Sequence, residues 1–385
     1  MSHLKVALFT GNYNHIRDGV SLTLNLWVSF LLDRNADVLV FGPTIEKPEL
    51  DHVGELSVVP SVKMPGRPEY LITTGLPDVN KAKLESFNPD IVHIASPDIL
   101  GYKALRWADN AGVPIVSSYH THFTSYLKYY NLGFFETLGW KYLRWFYSHC
   151  EHIYVPTKSM AAELKEKNIG RSPESLKIWA RGVDAKQFNP AWRDLGWRNK
   201  KGFKNDDIVF SFVSRLVWEK NLKIFANVIE NLHEKYPNVR SMIVGDGPAR
   251  EELQELLPDT HFTGFLTGDE LARAYASSDV FFFPSDTETF GNVTLEAMAS
   301  GLPCLVADAQ GSKSLVGHNE NGFLVSVDNE SRFFTCAEKL LTNDSLRSRL
   351  GKNSLEKVKN YTWEKINSGL LDDYKGVLGM KSEKN

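Results

Sequence analysis

Two α/β domains, each a doubly wound, Rossmann-like parallel sheet, are what this sequence predicts, on three observations. Short apolar, β-rich runs at Val6 to Phe9, Val38 to Phe41, Ile91 to Ala95, Pro114 to Ser117 and Ile153 to Val155 mostly alternate with stretches of helical period. That alternation implies parallel strands with helices on both faces. At 385 residues the chain exceeds what one hydrophobic core usually serves, and 42% hydrophobic with 24% charged residues is a globular composition. Finally, the stretch from Ala191 to Lys204 turns polar and basic, as linkers do, just after the bends of Arg181-Gly182-Val183-Asp184 and Phe188-Asn189-Pro190. Domains are therefore expected over residues 1–195 and 196–362, followed by a last helical segment, 363–385.

The totals exclude some functions. A net charge of -3 argues against nucleic acid as a partner, since domains that bind it are normally strongly basic. The three cysteines, Cys150, Cys304 and Cys336, are scattered without metal-type spacing and suit free thiols in a reducing compartment. The N-terminus reaches a strand by Lys5 with no long apolar region before it, and no run reaches membrane-spanning length, so a cytoplasmic location is expected.

In the first half, the loop Thr10-Gly11-Asn12-Tyr13-Asn14 leads to Asp18-Gly19-Val20-Ser21 and the amphipathic run LTLNLWVSFLL. A flexible turn feeding a helix start directly after strand one is where such a sheet meets anionic groups, so Gly19 is expected to face the ligand. There is no GxGxxG, and a dinucleotide site is unsupported. Tyr119, His120 and His122 follow a buried strand at its C-terminal end, where side chains reach the ligand; His122 equally fits a satisfied core histidine. From Phe123 to Tyr147 aromatic residues interleave with Lys128, Lys141 and Arg144. That run fits either a core helix that also walls the ligand site or a segment lying in a bilayer interface.

In the second half, the strand IVFSFV runs into Arg215 and Lys220, SMIVG runs into Asp246-Gly247-Pro248, and another strand ends at Gly264-Phe265-Leu266. The most informative stretch is FPSDTETFGNVTLEAMASGLP, Phe283 to Pro303. It reads as a strand end, a polar turn carrying Asp286 and Glu288, and a helix starting near Gly291 that holds Glu296. Glycine allows close backbone approach, and the free N–H groups of a first helical turn favour an anion. A further strand, GFLVSV, and helices near Glu330 to Leu341 and Ser345 to Asn360 follow. Trp363, Ile366, Leu370 and Tyr374 then recur at helical spacing.

Glu288, Phe290, Gly291, Glu296 and Ala297 together resemble the signature of the retaining, nucleotide-sugar-dependent glycosyltransferases of family 4, which have the GT-B fold. Arg215 and Lys220 resemble that family's Arg, four residues, Lys element, and Tyr119-His120-Thr121 its Tyr-His-Thr stretch. The resemblance implies two Rossmann-like domains facing a cleft, with the last helix crossing back to the first. It implies that Arg215 and Lys220 grip the donor pyrophosphate and that Glu288 and His120 face the transferred sugar. Phe290, Gly291, Asn292 and Val293 would approach sugar or phosphate, Gly19 the diphosphate and the acceptor, Gly264 to Leu266 the nucleobase, and Glu296 the ribose. Tyr119, His122, Tyr126 and Tyr129 would meet the acceptor, and the family's lipid-acceptor members favour a membrane glycolipid, diacylglycerol or sphingolipid.

The donor expected is a nucleotide diphosphate sugar, GDP-mannose or a UDP-hexose, used as co-substrate with no cofactor. No Asp-x-Asp triplet occurs, and Arg215, Lys220 and the helix start at Gly291 can supply equivalent positive potential, so no metal is expected. No residue is an obvious covalent nucleophile, which favours a front-face route to retention. Two other functions fit the same fold: a 2-epimerase-like nucleotide-sugar isomerase, and a catalytically silent carbohydrate- or lipid-binding homologue.

Overall fold

The structure is a computed structural model that describes residues 3–65, 67–119, 136–288 and 290–379. The chain forms two compact units, Met1–Ala180 with Glu364–Asn385, and Arg181–Trp363.

In the first unit seven strands form one parallel sheet: β1 (Lys5–Phe9), β2 (Asp37–Gly42), β3 (Glu55–Val58), β6 (Ile91–Ile94), β7 (Ile115–Ser118), β8 (His152–Val155) and β9 (Leu176–Ile178). Their order is β3-β2-β1-β6-β7-β8-β9. The strands read as continuous apolar runs because both faces are covered. Val6 and Leu8 join the cluster that holds Trp27, while Ala7 and Phe9 join the opposite one. An antiparallel pair, β4 (Ser61–Met64) and β5 (Arg67–Thr73), lies outside this sheet and has no counterpart in the sequence reading.

The final helix, Trp363–Val377, packs Leu370, Leu371 and Tyr374 into the core containing Trp27. Tyr374 O–H lies 2.5 Å from His93 Nδ1, and His93 Nε2 lies 3.0 Å from Ser118 Oγ. Burial pushes His93 down to about 3, so the imidazole is neutral and both its nitrogens are satisfied.

The second unit is also a single parallel sheet, of six strands: β10 (Ile208–Val213), β11 (Val239–Val244), β12 (His261–Gly264), β13 (Val280–Phe283), β14 (Cys304–Ala307) and β15 (Gly322–Val325). The order is β12-β11-β10-β13-β14-β15. In both sheets the order reverses beside the first strand, between β1 and β6 and between β10 and β13. Open α/β sheets bind ligands at the carboxyl ends of strands flanking such a reversal.

The units divide at Ala180/Arg181, not near residue 195. The basic stretch taken as a linker is in fact built into the second unit. Arg193 donates to the carbonyls of Ala276 and Ser278 at 3.2 and 2.8 Å and to Asp279 at 2.7 Å. Arg198, fully buried, donates to Ser277 O at 2.6 Å, Asp207 O at 2.8 Å and Asp279 Oδ2 at 3.0 Å. Arginines that satisfy carbonyls and one shared carboxylate look, in composition, like solvated charge.

Candidate active site

The loops after β10 and β13 meet at the point where the second sheet reverses. Ser214 N–H donates to Val244 O at 3.1 Å and Leu216 N–H to Asp246 O at 2.9 Å, so the loop carrying Arg215 is laid against the one after β11. Two glycines allow that approach: a Cβ on Gly245 would stand 1.9 Å from Ser214 O, and one on Gly247 2.4 Å from Leu216 O. Arg215 is held there exposed, and its guanidinium has no hydrogen bond or ion pair among the described residues.

Lys220 is differently placed. Its Nζ lies 2.7 Å from Glu288 Oε1 and 2.9 Å from Thr287 Oγ1, with 15% of the lysine side chain and 23% of the glutamate side chain exposed. The next residue, Asn221, sits in the left-handed region with φ 56° and begins the helix Leu222–Lys235. Its Nδ2 donates to Pro284 O and to Asp286 Oδ1, each at 3.0 Å, tying the two loops together. The turn after β13 is supported from below as well: a Cβ on Gly311 would lie 2.7 Å from Glu288 O.

Gly291, with φ 96°, begins the helix Asn292–Ala299. No side chain caps this end, so its first-turn N–H groups point out uncommitted, as an anion would require. Gly291 supplies the left-handed turn that a side chain would strain. Phe290 is a core residue, 4% exposed, with its ring 6.3 Å from Tyr361, so only its backbone is available to a ligand. Asn292 is exposed and Val293 half-buried.

Glu296 lies half-buried on the same helix and accepts from Tyr275 O–H at 2.8 Å. Burial pushes its carboxyl up to about 7, and the tyrosine hydrogen bond offsets part of that. Gly264, with φ 75°, closes β12, and Phe265 beyond it is 77% exposed. Leu266 is half-buried. An aromatic ring left this open on a loop beside the site is available for stacking.

The corresponding point of the first unit is acidic. Asp18 caps the helix Gly19–Leu32, its carboxylate accepting from Val20 N–H at 2.9 Å, Ser21 N–H at 2.8 Å and Asn12 Nδ2 at 2.8 Å. Gly19 is exposed at the first helical position. After β6, Asp98 caps the helix Ile99–Ala111 and accepts from Ser96 O–H at 3.0 Å; burial raises its carboxyl above the usual range. Gly11 packs so tightly here that a Cβ would stand 2.7 Å from Asp98 Oδ2.

His120, His122, Tyr126 and Tyr129 lie outside the described residues. Tyr119, expected at the acceptor, is 1% exposed, with its ring 6.1 Å from that of Tyr147. It is a core residue, just past the end of β7, in the cluster that also holds Ile115, Phe146 and Tyr147. The aromatic run beyond it resolves in part. On the helix Glu136–Tyr147, Trp140, Leu143, Phe146 and Tyr147 are buried, whereas Leu138 and Trp145 are 58% and 36% exposed. Tyr102 stands 5.7 Å from Trp145, and Lys103, Arg106, Lys141 and Arg144 are exposed on the same two helices.

Thr287, Asn221, Tyr275 and Gly311 were not singled out from sequence. Asn221 carried a signal, an asparagine at a helix start where left-handed backbone is tolerated. Tyr275 is twenty-one positions from its partner and carried none.

A family profile described as "Glycosyltransferase Family 4" matches residues 17–187, and one described as "Glycosyl transferases group 1" matches residues 195–357. The GDP-mannose-dependent alpha-mannosyltransferase of Corynebacterium glutamicum is 31% identical over 98% of this chain and 90% of its own. The chain belongs to glycosyltransferase family 4, of GT-B type. The alpha-monoglucosyldiacylglycerol synthase of Acholeplasma laidlawii is 26% identical over 73% of this chain and 74% of its own. Among solved structures, sucrose-phosphate synthase from Thermosynechococcus elongatus superposes with a TM-score of 0.77 at 18% identity, covering 98% of this chain and 100% of that one. For this family 4 chain, the fold and the glycosyltransferase class are thereby given. Among its described residues no helix is long and apolar enough to cross a membrane.

Proposed function

We propose that the chain moves a hexosyl group, with retention at the anomeric carbon, from a nucleotide diphosphate sugar to a hydroxyl of a membrane lipid or glycolipid. The observation that carries this reading is the convergence of Arg215, Lys220 and the uncapped helix start after Gly291 at the strand-order reversal of the second unit. As the bond from C1 to the diphosphate breaks, negative charge grows on the leaving oxygen. Fixed cations and amides that hold it more tightly then than before lower the barrier. The acceptor oxygen bonds to C1 on the face the diphosphate leaves, and its proton passes to a phosphate oxygen. Glu288 orients the sugar hydroxyls, Glu296 accepts from the ribose, and Gly264 to Leu266 flank the base. His120 at the sugar, and His122, Tyr126 and Tyr129 at the acceptor, rest on the resemblance alone.

The name of the Corynebacterium relative favours GDP-mannose as donor, and that of the Acholeplasma relative favours a diacylglycerol-type acceptor. The exposed Leu138, Tyr102 and Trp145, flanked by Lys103, Arg106, Lys141 and Arg144, support docking at an anionic membrane surface. Metal independence is supported by the carboxylates themselves. Asp286 is engaged by Asn221 and Glu288 by Lys220, while Arg215 is uncommitted.

The test is nucleoside diphosphate release from UDP- and GDP-sugars, with and without lipid acceptors in anionic vesicles, before and after EDTA. Release that needs an acceptor and survives EDTA is expected. Acceptor-independent interconversion of the donor would instead indicate an isomerase, no turnover with any donor a silent homologue, and restoration only by Mg or Mn a metal enzyme.

A further inference from the structure

A cavity of about 490 Å³ opens at the other edge of the second sheet, among Lys201, Phe203, His233, Arg240, Asp259 and His261. It surrounds the N-terminal ends of β11 and β12, whereas the donor loops follow the C-terminal ends. Six-residue strands rising about 3.3 Å per residue separate the two by roughly 20 Å.

The lining is rich in donors. His233 lies in the last turn of the helix Leu222–Lys235, and His261 opens β12 with its ring 5.9 Å from Phe203 and nearly perpendicular to it. The Nε2 atoms of both histidines are buried without a hydrogen-bond partner. Arg240 commits Nη1 to Pro237 O and Val239 O and points Nε toward Asp207, 3.5 Å away, leaving Nη2 unbonded. Lys201 stands over the Trp197 ring at 5.4 Å and has no ion pair among the described residues. The one acid on the lining, Asp259, is exposed at the rim.

Unpartnered buried polar atoms are costly, and two in one cavity beside two cations call for an acceptor. A metal ion would answer the imidazoles but be repelled by Lys201 and Arg240. An oxyanion answers all four. We propose that this cavity binds a small multivalent oxyanion of the phosphate, sulfate or pyrophosphate class, free or carried on a sugar, at a site separate from the donor's. Burial and Lys201 hold His261 below its ordinary pKa; burial and Arg240 do the same to His233, against weaker pulls from Asp259 and from a hydrogen bond between its ring and the Val239 backbone. The imidazoles are then neutral in the empty cavity, and anion binding takes up protons.

Isothermal titration of the full chain with sulfate, whose charge is constant from pH 6 to 8, tests this, with pyrophosphate and a hexose 6-phosphate as further arms. Sulfate should bind with proton uptake and gain up to about tenfold in affinity per pH unit below neutrality for each proton taken up. Binding should persist in Arg215→Ala/Lys220→Ala and weaken by about tenfold or more in Lys201→Met and in His261→Gln. Lys201 is a partly exposed turn residue, so its variant keeps the test open should the histidine variant fail to fold. Tighter binding of the hexose phosphate than of sulfate would identify the carried form; the reverse would identify the free ion. Absence of binding at millimolar concentration, loss of binding with the Arg215 and Lys220 pair, or indifference to Lys201→Met and to pH would overturn the proposal.

Discussion

Replacing Glu296 by glutamine should stabilise the protein above neutral pH while disabling donor binding. Burial moves this carboxyl from 4.5 to about 7, with Tyr275 holding it partly back. A displacement of that size corresponds to roughly 3 kcal/mol, which we reduce to about 1 to 2 kcal/mol because the half-buried side chain is screened by solvent. The folded state, with the higher pKa, binds more protons than the unfolded chain between pH 4.5 and 7. Stability therefore falls as pH rises through that window, and the full penalty applies above it. Glutamine carries no such penalty and still accepts from Tyr275. Urea melts should show Glu296→Gln more stable than wild type at pH 8, with the gap narrowing at pH 5. In calorimetric titrations with GDP and UDP, hydrogen bonds from ribose to a carboxylate, each worth about 1.5 to 3 kcal/mol, should give way to weaker ones and raise Kd about tenfold or more. Wild-type affinity should itself decline below pH 7 as Glu296 protonates. Parallel pH–stability curves together with undiminished nucleotide affinity would refute both the buried charge and its role.

Three further outcomes are expected. Arg215→Ala should lower kcat/KM for transfer by about 100- to 1,000-fold with little effect on melting, because the guanidinium is exposed and unpaired among the described residues; unaltered steady-state kinetics would remove it from the site. Tyr374→Phe should destabilise the first unit by about 1 to 3 kcal/mol in urea, since it strands the buried His93 Nδ1; an unshifted midpoint would show that the final helix is held by packing alone. Gly311→Ala should depress turnover while leaving the circular dichroism spectrum intact, because the new methyl group meets the backbone of Glu288 at 2.7 Å; full activity would mean that the turn yields.

The sheets and the site loops were legible because parallel strands buried on both faces produce conspicuous apolar runs, as in β10 and β13. The cationic and acidic motifs were legible because each lies within one loop at a strand end. Most of what escaped detection depends on partners distant in sequence. Arg193 and Arg198 read as linker charge because Asp279, which both contact, lies some eighty positions away. Tyr119 read as a ligand contact because its neighbours do not reveal that Tyr147 will cover it. The antiparallel β4 and β5 went unread because their exposed residues break the apolar pattern that marks a strand.

The two units share a strand order around the reversal but not the capping of the helices that start there, and under the proposed function that difference divides the ligands between them. At the reversal beside β1 the loops present Asp18 and Asp98, and the helix beginning at Gly19 already has two amides engaged by a carboxylate. A diphosphate there would displace one anion only to meet another. At the reversal beside β10 the loops present an uncommitted Arg215 and a Lys220 paired with Glu288, and the helix after Gly291 has no side-chain cap. Under the proposed function the diphosphate is therefore held chiefly by the second unit, while acidic caps in the first suit hydroxyls, which donate to carboxylates. Removing the charge on one side checks this. Asp18→Asn keeps an N-cap acceptor but removes the charge, so it should leave nucleoside diphosphate affinity unchanged and alter only acceptor KM. A tighter Kd for the nucleotide in that variant would show that Asp18 had been repelling it, and that the first unit does meet the phosphates.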